Sequence, residues 1–152
     1  MKRLVLMVCI LGCIASAFGQ ICLNKAVPDG RVDSVWKAID LPQAFTGDGV
    51  IIGFVDWGFD YTHPVFYDTN MVHYRVLRAW DQFKTAGPAP SGYDYGTEYV
   101  GAEQLLTALC DTFHCYGYPY PGTPCASIAA GAGAGTECRG VAFNAHLLFA
   151  SL

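Results

Sequence analysis

The spacing of hydrophobic and polar residues predicts three strands that alternate with helices. Residues 49–56 ("GVIIGFVD") form a short, continuously apolar run, which is typical of a strand covered on both faces in a parallel sheet. Residues 74–83 and 141–152 predict two further strands. Alternation of this kind favours an α/β sandwich built on a mainly parallel sheet.

Helical spacing occurs in three segments. The first has apolar residues at helical intervals until Leu41-Pro42, namely Val32, Val35, Trp36 and Ile39. The second, residues 101–113, places its leucines on one face, and the third, Gly122–Ala134, consists of small side chains. Residues 84–99 are rich in Gly, Pro and Tyr, so we expect a loop there.

The N-terminus has the order of a secretory signal. Lys2 and Arg3 precede an apolar run that ends in small residues, and we expect a signal peptide over residues 1–19. Residues 10–13 ("ILGC") also resemble a bacterial lipoprotein box, but the apolar run continues past Cys13, which argues against lipidation. The expected location is therefore secreted, or periplasmic and cell-envelope.

Composition excludes several classes of protein. The chain has 152 residues, 53% hydrophobic and 14% charged, which excludes a disordered chain or a coiled coil. A formal net charge of −4 with scattered Lys and Arg gives no basic surface for nucleic acid. No stretch after the N-terminal signal is apolar enough to cross a bilayer, so we expect no membrane partner for the mature chain.

Cleavage after Gly19 would leave an odd number of cysteines. These are Cys22, Cys110, Cys115, Cys125 and Cys138. At least one thiol then stays free or pairs with another molecule. Cys110 and Cys115 are close enough in sequence to bridge a local loop, although sequence alone does not determine the connectivity.

Asp56 and Asp60 are the carboxylates with the most informative position. They lie at and just past the carboxyl end of the first predicted strand, the edge at which open α/β folds build their sites. A carboxylate there can orient a histidine and stabilise its imidazolium form. The alternative is that Asp56 only caps a turn, as Asp often does beside Gly.

Other candidate chemistry is weaker. His63 and His73 do not share helical i, i+4 spacing with a second ligand, so we predict no metal site. "GAGAG" (131–135) follows a helix rather than a strand and is not followed by Lys-Ser/Thr, so we predict no nucleotide. Cys125, near a helix start, has no histidine placed to activate it, which favours a buried structural cysteine. We therefore expect no cofactor.

Two segments together resemble the subtilisin-like serine peptidases (subtilases). "GVIIGFVDWGFDYTHPVF" (49–66) is similar to their aspartate segment, in which a buried strand ends in Asp. "PGTPCASIAAGAGAG" (121–135), followed by "RGVAFNAHLLFASL" (139–152), is similar to their histidine segment and the strand after it. That segment starts His-Gly-Thr-His in the family. The resemblance covers residues 42–152 in the family's order.

The resemblance implies a role for Asp56 and a loss at Pro121. Asp56 matches the triad aspartate, whereas Pro121 stands at the triad histidine and Pro124 at the family's second histidine. The family's oxyanion-hole Asn and nucleophilic Ser belong to its C-terminal half, which has no counterpart in these residues. Because removal of one triad member costs about 10⁴–10⁶ in rate, we expect no peptidase activity from this chain alone.

These inferences together predict part of a subtilisin-like three-layer α/β sandwich with a mainly parallel sheet. Its organisation would be a signal over residues 1–19, a lead-in over 20–41 and the N-terminal portion of a catalytic domain over 42–152. The function is then that of a truncated or degenerate serine endopeptidase. Its partners would be a peptide or protein substrate and a C-terminal half from another chain. The alternative is a secreted pseudoenzyme that binds peptides or a partner protein without cutting them.

First-turn prolines are compatible with a helix. The first N–H groups of a helix have no intrahelical acceptor, so a proline there removes no hydrogen bond. We therefore expect Pro121 and Pro124 to leave the small-residue helix intact while removing the imidazole that it would carry.

Overall fold

The computed structural model describes residues 25–115 and 121–152, with the backbone alone at Cys115. The signal peptide predicted over residues 1–19, and Cys22, lie outside the described residues. The chain divides into two compact units, Met1–Ala44 and Phe45–Leu152. Within the described ranges, no helix is both long and apolar enough to cross a membrane.

The first unit contains short helical pieces. Residues 25–29 are helical, and helix α1 runs over Val32–Trp36. The prediction that this helix extends to Ile39 is wrong, because Ala38 and Asp40 have φ of 57° and 60°, outside the helical region. Lys37 pairs with Asp33 at 3.1 Å, one turn earlier.

The second unit is built on a four-stranded sheet in the order β1-β4-β2-β3. Its strands are β1 (Ile51–Asp56), β2 (Val76–Asp81), β3 (Thr97–Val100) and β4 (His146–Ser151). β4 lies between β1 and β2 and is parallel to both, whereas β3 is antiparallel to β2. The predicted α/β class with a mainly parallel sheet is confirmed.

The core lies on one face of this sheet. Ile52 and Phe54 of β1 are in register with Leu147 and Phe149 of β4, and all four contact the buried cluster. The alternate residues of β1 face the other way, where Ile51 and Val55 are 56% and 66% exposed. Coverage of β1 on both faces was therefore predicted wrongly for the described residues, because the helices that join this core pack on the same face.

Three helices and a 3₁₀ turn complete the second unit. They are the turn Pro64–Phe66, α2 (Gly101–Ala108), α3 (Thr112–Cys115) and α4 (Gly122–Ala130). The helix predicted over 101–113 is broken at Leu109, whose φ is 69°. The helix predicted to reach Ala134 ends at Ala130, because Gly131 is extended and Gly133 has a φ of +91°.

Strand β3 begins inside the segment predicted as a loop, residues 84–99, and ends one residue beyond it. It pairs with β2 from Asp81↔Thr97 to Arg78↔Val100. An ion pair between Arg78 and Glu98 at 3.0 Å spans the two strands. Thr97 Oγ1 donates to the Lys84 carbonyl, which holds the start of β3 against the preceding loop. These contacts join residues distant in sequence, so the local Gly and Pro content concealed the strand.

A buried arginine ties the core-side connections together. Arg75, 4% exposed, donates to the carbonyls of Tyr67, Ala145, Val65 and Ala130 at 2.6–3.0 Å. Burial lowers the pKa of its guanidinium to about 10, so the group stays charged at neutral pH. The hydrogen bonds of this guanidinium join the end of α4, the residue before β4 and the 3₁₀ turn.

Candidate active site

Asp56 is the last residue of β1, at the carboxyl end of the parallel strands. It is in register with Ser151 of β4, which is itself in register with Asp81 of β2. The Asp56 side chain is half-buried, and its Oδ1 accepts the Trp57 N–H at 2.9 Å. Its main-chain carbonyl accepts the Leu152 N–H at 3.1 Å. Asp56 therefore makes a local turn contact, as the turn-capping alternative predicts, and still keeps one carboxylate oxygen without a described partner.

The start of helix α4 is hydrogen-bonded to the loop that follows Asp56. The Gly122 N–H donates to the Trp57 carbonyl at 2.9 Å, and the Thr123 N–H donates to the Gly58 carbonyl at 3.3 Å. The Thr123 hydroxyl donates to the same Gly58 carbonyl and accepts the Asp60 N–H at 2.7 Å. The tertiary structure thus brings the two segments that carry the family resemblance into direct contact.

Gly122 is required by the closeness of this contact. A Cβ built on Gly122 would lie 2.6 Å from the Trp57 carbonyl oxygen and 3.1 Å from the Phe59 ring. A separation of 2.6 Å is far inside van der Waals contact, so a side chain here would push the helix start away from the loop. The glycine therefore fixes how closely α4 approaches Asp56.

Both prolines lie at the beginning of α4, and the helix forms around them as predicted. Pro121 is the N-cap, with φ −81° and ψ −9°, and its carbonyl accepts the Cys125 N–H at 2.8 Å. Pro124 occupies the first turn, and both prolines are exposed. Because a proline at these positions removes no helical hydrogen bond, helix α4 forms with both prolines in place.

Buried Asp111 holds the loop that follows Asp56 through hydrogen bonds. Its Oδ2 accepts the Gly58 N–H at 2.8 Å and the Ser151 hydroxyl at 2.6 Å, and its Oδ1 accepts the His114 N–H at 2.8 Å. One carboxylate therefore connects the loop after β1, the end of β4 and the start of α3. Asp111 was not predicted as a structural residue, because it lay inside a predicted helix. Both hydrogen bonds to its Oδ2 come from groups that are distant in sequence.

Asp81 and Tyr61 are two further buried polar residues. Asp81 Oδ2 accepts the N–H and the hydroxyl of Thr112, and its Oδ1 accepts the Phe83 N–H. Tyr61 is fully buried. Burial first, then the charges of Asp111 and Asp81, raise the pKa of the Tyr61 hydroxyl, so it stays protonated.

The other candidates from the sequence are not assembled around Asp56. Asp60 binds the backbone and hydroxyl of Thr62, and His63 Nδ1 accepts the Val65 N–H, capping the 3₁₀ turn. The His73 carbonyl accepts the Asp68 N–H. Residues 25–115 and 121–152 contain no group of three or more His, Cys, Asp or Glu side chains placed to hold a metal ion.

The cysteines divide into bonded and free. Cys110 is disulfide-bonded, whereas Cys125 and Cys138 carry free thiols. The local bridge from Cys110 to Cys115 remains a prediction. Cys125 is exposed on α4 rather than buried, which corrects the expectation of a buried structural cysteine. The cause is its position outside the face of α4 that carries buried Ala126 and Ala130.

An aromatic surface begins at the residue after Asp56. The rings of Trp57 and Phe113 are 6.3 Å apart, and Phe113 contacts Phe83 edge-on at 4.8 Å. Trp57 is 39% exposed and Phe83 is 57% exposed. We call these three residues the aromatic platform. The sequence reasoning missed it, since its members come from three separate segments.

A cavity of about 540 Å³ lies elsewhere in the second unit. It is lined by residues of β3, α2 and the loop before β3, including Lys84, Tyr99 and Gln104. Lys84 Nζ lies 5.6 Å from the centre of the Tyr99 ring. The cavity does not include Asp56 or the start of α4, so it is not continuous with the contact described above.

Comparison with known proteins indicates a shared fold. The chain matches no protein-family model and no curated protein. Among solved structures it is similar to the Clostridium perfringens CspB protease, with a TM-score of 0.53 and 23% identity over 78% of this chain. The chain spans 23% of the length of that protease chain. At this level of identity the likeness shows only that the chain shares part of the α/β fold of that structure.

Proposed function

We propose that this chain is a degenerate subtilisin-like serine endopeptidase that holds the scaffold of the catalytic site and does not cleave peptides. The observation that carries the proposal is the hydrogen bond from Gly122 N–H to the Trp57 carbonyl. This hydrogen bond supports the proposal because it holds the residue after Pro121, which the resemblance aligns with the triad histidine, against the loop that follows Asp56. The protease fold of the structural neighbour supports the same family.

Chemistry explains the loss of activity. A serine hydroxyl becomes a nucleophile when a histidine nitrogen accepts its proton, and a carboxylate then stabilises the imidazolium ion. Proline has no side-chain nitrogen, so Asp56 has no imidazole to orient. The resemblance also assigns the nucleophilic Ser and the oxyanion donor to a C-terminal half, which we propose would come from another chain.

A hydrolysis assay tests the proposal directly. The purified chain is incubated with quenched fluorescent peptide mixtures, and products are read by mass spectrometry. We expect no turnover above buffer. Turnover that a serine-directed fluorophosphonate abolishes would contradict the proposal.

A second experiment tests the assigned position of the histidine. In Pro121→His, the introduced imidazole should have a pKa raised above the ordinary value of about 6.5 by the Asp56 carboxylate. NMR titration measures this pKa, and adding Asp56→Asn should lower it again. Pro124→His is the matched control, because it shares the exposed first turn of α4 and its N–H dipoles. Equal pKa values at the two positions, both insensitive to Asp56→Asn, would refute the assignment.

The second candidate is a secreted pseudoenzyme that binds peptides. Half-buried Asp56 beside the exposed ring of Trp57 favours it, because this combination offers a charge and an apolar surface to a ligand. Secretion requires removal of residues 1–19, which N-terminal sequencing of the protein exported from a bacterial host would detect. An uncleaved N-terminus would contradict the secreted location.

A further inference from the structure

Among the described residues, no basic side chain forms an ion pair with the carboxylate of Asp56. Its Oδ1 accepts one main-chain N–H, and its other oxygen has no hydrogen bond or ion pair among the described residues. The basic side chains of the second unit that are described are engaged elsewhere. Arg75 binds buried carbonyls, Arg78 pairs with Glu98, Lys84 lies over Tyr99, and Arg139 pairs with Glu137.

The aromatic platform supplies a surface that suits the rest of a basic side chain. Lys and Arg carry long apolar stems that pack on apolar surfaces while the charged group stays at a polar site. Aromatic faces also attract a cation within about 6 Å. The Asp56 carboxylate lies 2.9 Å from the Trp57 main-chain nitrogen, which places it beside the first residue of the aromatic platform. The platform continues from the Trp57 ring through Phe113 to the exposed Phe83.

The backbone between these groups is held rigidly. The Trp57 N–H donates to Asp56, and the Trp57 carbonyl accepts from Gly122. The next N–H, that of Gly58, donates to buried Asp111. Because consecutive backbone groups are fixed in this way, little conformational entropy is lost when a ligand binds there.

We infer that Asp56 and the aromatic platform form a subsite for a basic side chain, Lys or Arg, of a bound peptide. The inference rests on the proposed function, because a catalytic imidazole would otherwise occupy Asp56. With Pro121 in that place, the ligand's ammonium or guanidinium takes the position of the imidazolium ion. The subsite retains a charged ligand and does not react with it.

Peptide binding tests the inference with matched probes. Blocked pentapeptides of glycine with a central Arg, Lys or citrulline are titrated by calorimetry. Citrulline keeps the shape of Arg but is neutral. We expect the Arg and Lys peptides to bind about tenfold more tightly than the citrulline peptide. Equal affinity of the charged and neutral peptides, or no binding of any of them at millimolar concentration, would overturn the inference.

Variants then assign the preference to these residues. Asp56→Asn should abolish the preference for Arg over citrulline, and Trp57→Ala should weaken binding of the Arg and Lys peptides. Asp48→Asn is the control, because it removes the same charge from an exposed residue that precedes the opposite end of β1. A preference that persists in Asp56→Asn, or that disappears equally in Asp48→Asn, would overturn the inference.

The outcome is distinguishable from failure of the proposed function. Mass spectrometry of the same samples shows whether the peptides stay intact. Cleaved peptides would refute the non-cleaving role, whereas intact peptides with no charge preference would refute the basic-side-chain subsite alone.

Discussion

Replacing Arg75 by methionine removes the charge that joins three connections in the core. Methionine keeps an apolar stem of similar length, so the change mainly deletes the guanidinium. The Val65 carbonyl also accepts the Ala132 N–H and keeps a partner. The carbonyls of Tyr67, Ala130 and Ala145 depend on Arg75 for hydrogen bonds within the described residues.

The expected loss follows from these three carbonyls. A buried polar group left without a partner costs about 1–3 kcal/mol. Water that enters the vacated space will satisfy part of this demand, so the full sum is an upper bound. We expect Arg75→Met to lower the free energy of unfolding by about 3–5 kcal/mol, as for a buried charge network that loses one member.

Urea unfolding followed by circular dichroism measures the change. Arg78→Met is the matched control, because it deletes the same charge from a side chain that is 54% exposed and pairs with Glu98 at the surface. Such a pair contributes less than about 1 kcal/mol. If Arg75→Met is unfolded in plain buffer, sucrose restores a measurable transition in both proteins.

The reasoning fails on a defined result. A loss below about 1 kcal/mol for Arg75→Met, equal to that for Arg78→Met, would show that the carbonyls are rehydrated without cost. In that case the hydrogen bonds of Arg75 to the end of α4 and to the residue before β4 would not stabilise the fold.

Three further predictions concern other contacts. Gly122→Ala should lower the free energy of unfolding by about 1–3 kcal/mol, because the added Cβ would lie 2.6 Å from the Trp57 carbonyl oxygen. Gly53→Ala is the control, since its Cβ would meet no atom within 4 Å and should change the unfolding midpoint little. Equal changes in the unfolding midpoint for the two variants would refute the steric argument. Burial raises the pKa of Tyr61 and Tyr74, so the folded state keeps protons that the unfolded state loses. Stability should therefore fall as pH rises above about 10, and more weakly in Tyr74→Phe; an unchanged slope would contradict this. A thiol reagent should label exposed Cys125 faster than half-buried Cys138, and Cys125→Ser should remove the fast phase; its persistence would be contrary evidence.

Local pattern was sufficient for the class of the fold and for most of its elements. The apolar run before Asp56 and the final apolar run both form parallel strands, because burial of an extended apolar segment leaves few alternatives. The tolerance of α4 for its prolines also follows from local chemistry, since the first helical turn has no intrahelical acceptors to lose. The identity of Asp56 as the residue that ends the first strand needed no tertiary information.

Contacts between distant residues decided what the sequence could not. Strand β3 forms because it pairs with β2, from Arg78 to Asp81. Residues 97–100 alone are too few for their pattern to predict a strand. Asp111 reaches Gly58 and Ser151 across 53 and 40 residues of chain, so its role has no local signal. The exposed face of β1 likewise depends on which side the helices pack, which hydrophobicity alone does not specify.

The relation between Asp56 and Pro121 shows the same division. The sequence alone determines which chemical groups are present: a carboxylate after a strand, and a proline without a nitrogen at the start of a small-residue helix. Only the tertiary structure determines that the helix start after Pro121 contacts the loop after Asp56, through hydrogen bonds from Gly122 and Thr123. The physical reason is that side-chain chemistry is a property of each residue, whereas proximity depends on the packing of the whole sheet and its helices.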